Sequence, residues 1–97
     1  MRYGGIEIKQ ARTFKDRLLG FMFRKSAGYA ILFEKCRAVH TCFMRFDIDV
    51  IFMDENKNII KEVKNLKPWR LALCRKAYYV LEMPSGIAKE NRRRLRI

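Results

Sequence analysis

Three ionisable side chains, His40, Asp49 and Glu82, lie within or beside the most apolar segments of the 97-residue sequence. A carboxylate in such a segment must be paired, hydrogen-bonded or protonated if it is buried. In a chemical interpretation, Asp49 or Glu82 is a general base or orients His40, and an arginine holds a small anionic substrate. In the structural interpretation, which we favour, ion pairs from Arg17 to Glu82 or from Arg45 to Asp49 hold the strands together.

A second set of residues has the chemical types of a zinc site. Its members are irregularly spaced: Cys36, His40, Cys42 and Cys74. The sequence has no pair of cysteines separated by two intervening residues, the spacing that zinc knuckles commonly use. We therefore expect these cysteines to act as small apolar residues, and we predict neither a metal nor any other cofactor. Their odd number is unlike a secreted disulfide framework and predicts reduced thiols in the cytoplasm.

The composition favours an anionic partner. Lys and Arg number 22 against 10 Asp and Glu, a net charge of +12 that attracts polyanions such as nucleic acid. The densest basic run lies near the end of the chain, at Arg92, Arg93, Arg94 and Arg96. Trp69, Tyr78 and Tyr79 have rings that could stack on bases, although aromatic residues of strands more often pack against neighbouring strands. Sequence-independent binding of a polyanion is therefore one alternative function.

Other function classes find no support in the sequence. It contains no phosphate-binding glycine loop, and Ser26 and Ser85, the only serines, lack the context of a hydrolase nucleophile. No apolar run approaches the roughly 18 residues that a membrane-spanning helix needs. We expect a soluble cytoplasmic protein that does not contact membranes.

The residue periodicities predict a mainly β protein. Strands are expected at residues 6–9, 29–33, 48–53, 59–63, 71–74 and 78–83, with an extended segment at 42–46 and a hairpin turn at 54–58. Thr13 and Gly20 bracket one short helix with a capping-box-like start and a glycine end. The predicted fold is one domain over residues 1–97, an antiparallel sandwich or partly closed barrel with this N-terminal helix. The conformation of residues 87–97 is left open.

Five segments have the character of spaced motifs: residues 17–22 (RLLGFM), 30–33 (AILF), 40–54 (HTCFMRFDIDVIFMD), 66–70 (LKPWR) and 80–86 (VLEMPSG). Together they resemble the domain-of-unknown-function family 192, a prokaryotic family of small β-rich domains. The resemblance covers residues 6–86 and implies a jelly-roll-like or barrel-like sheet without an established activity. Phe21 stands where the family usually has Leu, and residues 88–97 have no clear counterpart of the family's closing strand.

These observations favour a small binding or accessory protein rather than an enzyme. Motif residues whose chemistry exceeds the needs of packing are the candidates for the ligand-binding surface: His40, Arg45, Asp49, Trp69, Arg70 and Glu82. The two alternatives are a polyanion-binding or nucleic-acid-binding domain and a His/carboxylate enzyme acting on a small anionic substrate. The sequence identifies no natural ligand or partner beyond an anionic small molecule or nucleic acid.

Overall fold

The computed structural model describes residues 2–3, 6–13, 20–22 and 28–86. Within these ranges it contains the following strands: β1 (Arg2–Tyr3), β2 (Ile6–Gln10), β3 (Ala30–Glu34), β4 (Ala38–His40), β5 (Ile48–Met53), β6 (Ile59–Leu66), β7 (Leu71–Leu73) and β8 (Tyr79–Pro84). The predicted mainly β class is confirmed. The predicted helix between Thr13 and Gly20 and the open segment 87–97 fall on residues that lie outside the described ranges. No described helix is long and apolar enough to cross a membrane.

Six of the strands form one mixed sheet in the order β1-β2-β3-β8-β5-β6. Its β2–β3 pair is parallel, and its other neighbouring pairs are antiparallel. Strands β4 and β7 form a separate antiparallel ribbon. Among the described strands, β1 and β6 remain the two edges of the large sheet, so it does not close into a barrel.

Apolar side chains cover both faces of the large sheet. On one face, Val50 and Phe52 of β5 belong to a buried cluster that also includes Val39 of β4 and Ala72 of β7. On the other face, residues of β2, β3, β5 and β8 form a second cluster. It contains Ile6, Ile8, Ala30, Leu32, Ile51, Met53, Leu81 and Met83. All six residues of β5 are buried, as expected for a strand covered on both sides. Each large side chain removed from water in this way contributes about 1.5–3 kcal/mol.

The hairpin prediction is confirmed. Strand β6 pairs antiparallel with β5 after a turn in which Lys57 donates its N–H to Asp54 and Asp54 donates its N–H to Asn58. The Asp54 carboxylate accepts the N–H groups of Asn56 and Asn58 at 2.9 Å. These bonds lower the pKa of Asp54, with the Asn58 N–H as the largest contribution. Aspartate at the first turn position therefore stabilises the turn through its own side chain.

The prediction of an extended segment at residues 42–46 is wrong. The chain turns there, because Met44 donates its N–H to the carbonyl of Thr41 at 3.2 Å and Phe43 has a φ of 63°. The strand of this region is instead β4, which ends at His40, before the predicted segment begins. Alternation of Cys42, Met44 and Phe46 has the period of a strand, but hydrogen bonds from a distant loop determine the actual conformation.

Asp49 stabilises an irregularity of the edge strand β6. Between the pairs Ile48–Leu66 and Val50–Val63, the single β5 residue Asp49 faces two residues of β6, Lys64 and Asn65, which is a β-bulge. Asn65 in this bulge has a φ of 55° and donates its N–H to the Asp49 carboxylate at 2.9 Å. The hydroxyl of Ser85 donates to the same carboxylate oxygen at 3.1 Å.

We predict that Asp49→Ala destabilises the fold by about 1–3 kcal/mol, because it removes the buried carboxylate that accepts the Asn65 N–H and the Ser85 hydroxyl. Urea denaturation measures the loss. Asp49→Asn is the matched control, since its amide oxygen can still accept a hydrogen bond, and it should lose less. Equal stability of Asp49→Ala and the wild type would contradict this role for the carboxylate.

Candidate functional site

The β4–β7 ribbon presents an apolar outer face. Side chains alternate across a strand, so Val39 and Ala72 turn towards the core while Leu71 and Leu73 turn outward. Leu71 is 65% exposed and Leu73 is 51% exposed. In the ribbon, His40 pairs with Leu71 and places a polar ring beside this leucine.

Two aromatic rings extend this face at one end of the ribbon. Phe43 and Trp69 contact each other edge to face with ring centroids 4.7 Å apart. They nevertheless remain 48% and 58% exposed. Both residues have a φ of 63°, a left-handed conformation that costs bulky residues about 1–2 kcal/mol. We call the combined surface the outer stripe and define it by Ala38, His40, Phe43, Trp69, Leu71 and Leu73.

Thr41 holds the two loops of the outer stripe together. It is fully buried, and its hydroxyl donates to the Lys67 carbonyl at 2.6 Å while accepting the Arg70 N–H at 2.7 Å. Its N–H donates to the Arg70 carbonyl at 2.9 Å, and its carbonyl accepts the N–H of Trp69 at 3.1 Å and of Met44 at 3.2 Å. One threonine thus fixes both segments that carry the aromatic pair.

The segments that form the outer stripe are strongly cationic. Residues 37–47 and 67–76 contain one carboxylate, Asp47, and six exposed cations: Arg37, Arg45, Lys67, Arg70, Arg75 and Lys76. Lys67 forms an ion pair of 3.1 Å with Asp47, an exposed contact that contributes little to stability.

Cations lie towards both ends of the stripe. Beyond Leu73, three of the cations line a groove of about 460 Å³ together with Asp54 and Glu55. Lys61 adds a cation at that end, because its Nζ donates to the Leu73 carbonyl at 2.9 Å.

The predicted ligand residues separate into two groups. His40 and Trp69 belong to the outer stripe, and Arg70 lies between Trp69 and Leu71. The exposed His40 accepts the N–H of Cys42 on its Nδ1 atom at 3.2 Å. Arg45 is exposed in the loop after β4. Three of the six predicted residues thus gather around the Thr41 loops.

Asp49 and Glu82 lie on opposite faces of the large sheet. Asp49 pairs with Met83 of the second apolar cluster, whereas Glu82 pairs with Ile31 and Val50 of the first. Directly paired residues share a face, so the sheet separates the two carboxyl groups. One substrate therefore cannot contact both carboxyl groups on the same face of the sheet. The hypothesis that either one acts with His40 stays a prediction.

The two ion-pair hypotheses have no further test in the described structure. Arg17 lies outside the described residues, so its pairing with Glu82 stays a prediction. The pairing of Arg45 with Asp49 also stays a prediction.

Burial favours the protonated form of Glu82. The residue is 3% exposed between apolar strands, and burial raises the pKa of its carboxyl to about 8. Among the described residues, its Oε1 atom has no hydrogen-bond partner. A Cβ atom added at Gly20 would be 3.9 Å from the other carboxyl oxygen, so the turn at Gly20 lies close to Glu82.

The metal-site candidates do not converge on one point. In the described part of the chain, no group of three or more His, Cys, Asp or Glu side chains could hold a metal ion. Cys36, Cys42 and Cys74 are free thiols, and Cys36 donates its thiol to the Ala38 carbonyl at 3.1 Å. The predicted polyanion contacts Arg92, Arg93, Arg94 and Arg96 lie outside the described ranges.

Sequence reasoning missed Phe43 and Leu71 as parts of this surface and missed Thr41 as the buried residue that holds it together. Thr41 and Phe43 lie in the HTCFM segment, but their roles depend on hydrogen bonds to a loop 26 to 29 residues away. In the LAL segment, Leu71 has the pattern of an ordinary buried strand residue. The one local indication of a shared surface was that His40-Thr41 and Trp69-Arg70 both belong to motifs of the family.

Comparison with known proteins identifies the family. The model of domain-of-unknown-function family 192, described as Uncharacterized ACR, matches residues 2–94. The chain belongs to this family. A UPF0127 protein of Pyrococcus furiosus is 40% identical over 89 residues, covering 84% of this chain and 75% of that protein.

Solved structures confirm the fold of this family member. A protein of unknown function from Novosphingobium aromaticivorans matches with a TM-score of 0.76 at 20% identity, covering 88% of this chain and 67% of that chain. A "putative transcription regulator" of Sinorhizobium meliloti matches with a TM-score of 0.73 at 23% identity, covering 86% and 71%. At these identities the similarity shows the fold alone, and the family remains uncharacterised.

We predict that Thr41→Val destabilises the protein by about 1–3 kcal/mol, because valine keeps the shape but leaves the Arg70 N–H without its acceptor. Chemical denaturation measures the change. Thr41→Ser, which keeps the hydroxyl, is the control and should retain most of the stability. A valine variant as stable as the serine variant would show that the hydroxyl does not hold the loops.

We predict that Glu82 makes stability fall as pH rises. Its pKa is about 8 in the folded protein against an ordinary value of 4.5, so the folded state binds the extra proton between these values. Stability should decrease over this range by at most about 1.4 kcal/mol per pH unit.

Urea denaturation of the wild type and of Glu82→Gln between about pH 5 and 8 tests this effect. Glutamine cannot ionise, so the variant should lose the contribution of Glu82 to the slope. Glu62→Gln on the exposed face of β6 is the control and should keep the wild-type slope. Parallel pH profiles for the wild type and Glu82→Gln would exclude a buried neutral Glu82.

Proposed function

We propose that this protein is a non-enzymatic binding domain that contacts an anionic partner through the outer stripe. The observation that carries the proposal is the exposed pair Phe43 and Trp69, held by Thr41 in a backbone conformation that bulky residues rarely adopt. Folding alone gains little from a strained, half-exposed aromatic pair. Strain of this kind clusters at functional sites, where the surrounding structure maintains it.

The separation of the ionisable groups supports binding over catalysis. A general base and the group that orients it must lie within hydrogen-bond reach of one another or of the reacting atom. Asp49 and Glu82 lie on opposite faces of the sheet, and Asp49 is occupied by donors from Asn65 and Ser85. The His/carboxylate enzyme therefore has less support than the binding domain.

The charge around the outer stripe supports an anionic partner. Lys67 and Arg70 lie within two residues of Trp69 in the chain, and Arg45 lies two residues after Phe43. Asp47 is the one carboxylate of the two stripe segments. Contiguous apolar surface rimmed by polar groups is typical of interaction sites. Cations beside such a surface would steer an anion towards it.

The proposal also includes the arrangement of the two sheets and the cellular compartment. The β4–β7 ribbon packs through Val39 and Ala72 on the apolar cluster of the large sheet, which favours a two-layer sandwich. The free thiols of Cys36, Cys42 and Cys74 favour a reducing compartment such as the cytoplasm.

The fluorescence of Trp69 provides a direct test, because it is the only tryptophan of the chain. We expect its emission to change on titration with at least one of three anionic polymers: mixed-sequence single-stranded RNA, polyphosphate or polyglutamate. Phe43→Asn should weaken that binding by about fivefold or more, the equivalent of roughly 1 kcal/mol. Asparagine is chosen because it tolerates a positive φ and so preserves the turn.

Ile60→Ala is the matched control, since Ile60 is an exposed apolar residue of β6 outside the outer stripe. It should bind like the wild type. If none of the three polymers changes the Trp69 emission, or if Phe43→Asn binds as tightly as Ile60→Ala, the outer stripe is not an anion-binding surface.

A further inference from the structure

We infer that the anionic partner is single-stranded nucleic acid, with bases stacked on Phe43 and Trp69 and phosphates near Lys67 and Arg70. The inference rests on the proposed function and specifies its ligand. Its structural basis is the placement of two exposed rings and two exposed cations on one pair of hydrogen-bonded loops.

The exposed rings favour a ligand that has planar rings of its own. Polyphosphate and acidic peptides could satisfy the cations, but neither requires an aromatic pair. Nucleic-acid bases stack on aromatic side chains irrespective of sequence, because every base has a π face. Leu71, which follows Arg70 and is 65% exposed, adds apolar surface for a further base.

The same contacts favour single strands over duplexes. In a duplex the base faces are covered by their neighbours, so a surface side chain reaches only base edges and phosphates. Stacking on Phe43 or Trp69 requires an unpaired base. Proteins that bind single strands without sequence preference combine a cationic path for the backbone with aromatic residues for the bases.

The backbone of the two loops is suited to this role. Thr41 fixes the positions of Lys67, Trp69 and Arg70 through its hydroxyl and its main-chain groups. A site fixed before binding loses less conformational entropy when the ligand arrives. The guanidinium of Arg70 also donates to the Trp69 carbonyl at 3.4 Å, which keeps the cation beside the residue that carries the ring.

Fluorescence anisotropy with labelled oligonucleotides of about ten nucleotides tests the inference. One oligonucleotide carries normal bases, and the second is abasic at all internal positions but has the same number of phosphates. We expect the protein to bind the intact strand at least about fivefold more tightly than the abasic strand, since stacking contributes on this scale per base. A duplex of the same length should bind more weakly than the intact single strand.

Variants locate the preference on the outer stripe. Trp69→Asn, which removes the ring but tolerates the positive φ, should bring the affinity for the intact strand close to that for the abasic strand. Ile60→Ala should retain the full preference. Arg70→Gln should lower the slope of log K against log salt by about one, and Lys64→Gln on β6 should leave that slope unchanged. Circular dichroism and thermal melting establish that each variant is folded.

Each outcome bears on the inference separately from the proposed function. Equal affinities for intact and abasic strands, or tighter binding of the duplex, would overturn stacking and leave a cationic surface for polyanions. Tighter, Phe43-dependent binding of polyglutamate would instead identify an acidic protein as the partner and keep the proposed function. If no polymer binds at low salt, both the inference and the proposed function fail.

Discussion

The hydroxyl of Thr41 is the point at which the candidate site is assembled. It donates to the carbonyl of Lys67 and accepts the N–H of Arg70, so two loops distant in sequence share one buried group. Without it, the Lys67 carbonyl and the Arg70 N–H would lose their partner at a partly buried position. The same threonine continues the pairing of β4 with β7 beyond His40 and Leu71. Ribbon, loops and aromatic pair therefore meet at this single residue.

The exposure of the outer stripe contrasts with the burial of the central strands β5 and β8 of the large sheet. Both faces of the large sheet are covered, and buried polar side chains among the described residues are limited to Thr41, Asp49 and Glu82. Against this background, four large apolar side chains are left about half exposed on one ribbon: Phe43, Trp69, Leu71 and Leu73. The other large apolar side chains exposed in the described part of the chain are Ile59 and Ile60 of β6. Four such side chains gathered on one surface form a larger apolar patch than folding requires, and binding supplies a reason for it.

Much of the fold was predictable because it follows from local pattern. The uninterrupted apolar run of β5, the Asp54–Asn58 turn and the return of β6 all obey strand periodicity and turn chemistry. The turn after Thr41 was not predictable, since Cys42, Met44 and Phe46 alternate as a strand would. Tertiary hydrogen bonds decided that region. The face on which each carboxylate lies was equally inaccessible, because it depends on the pairing of β5 with β8.

The environments of the two buried carboxyl groups explain why we propose a binding site at the surface rather than in the core. Asp49 is stabilised by neutral donors, and Glu82 avoids the cost of a buried charge because burial favours its protonated form. Neither arrangement leaves a reactive carboxylate open to a substrate. The exposed cations beside the outer stripe are in the opposite situation, since water and ions can reach them and an incoming anion can replace those contacts. Recognition by this protein is therefore more consistent with its cationic, aromatic exterior than with the acidic groups of its core.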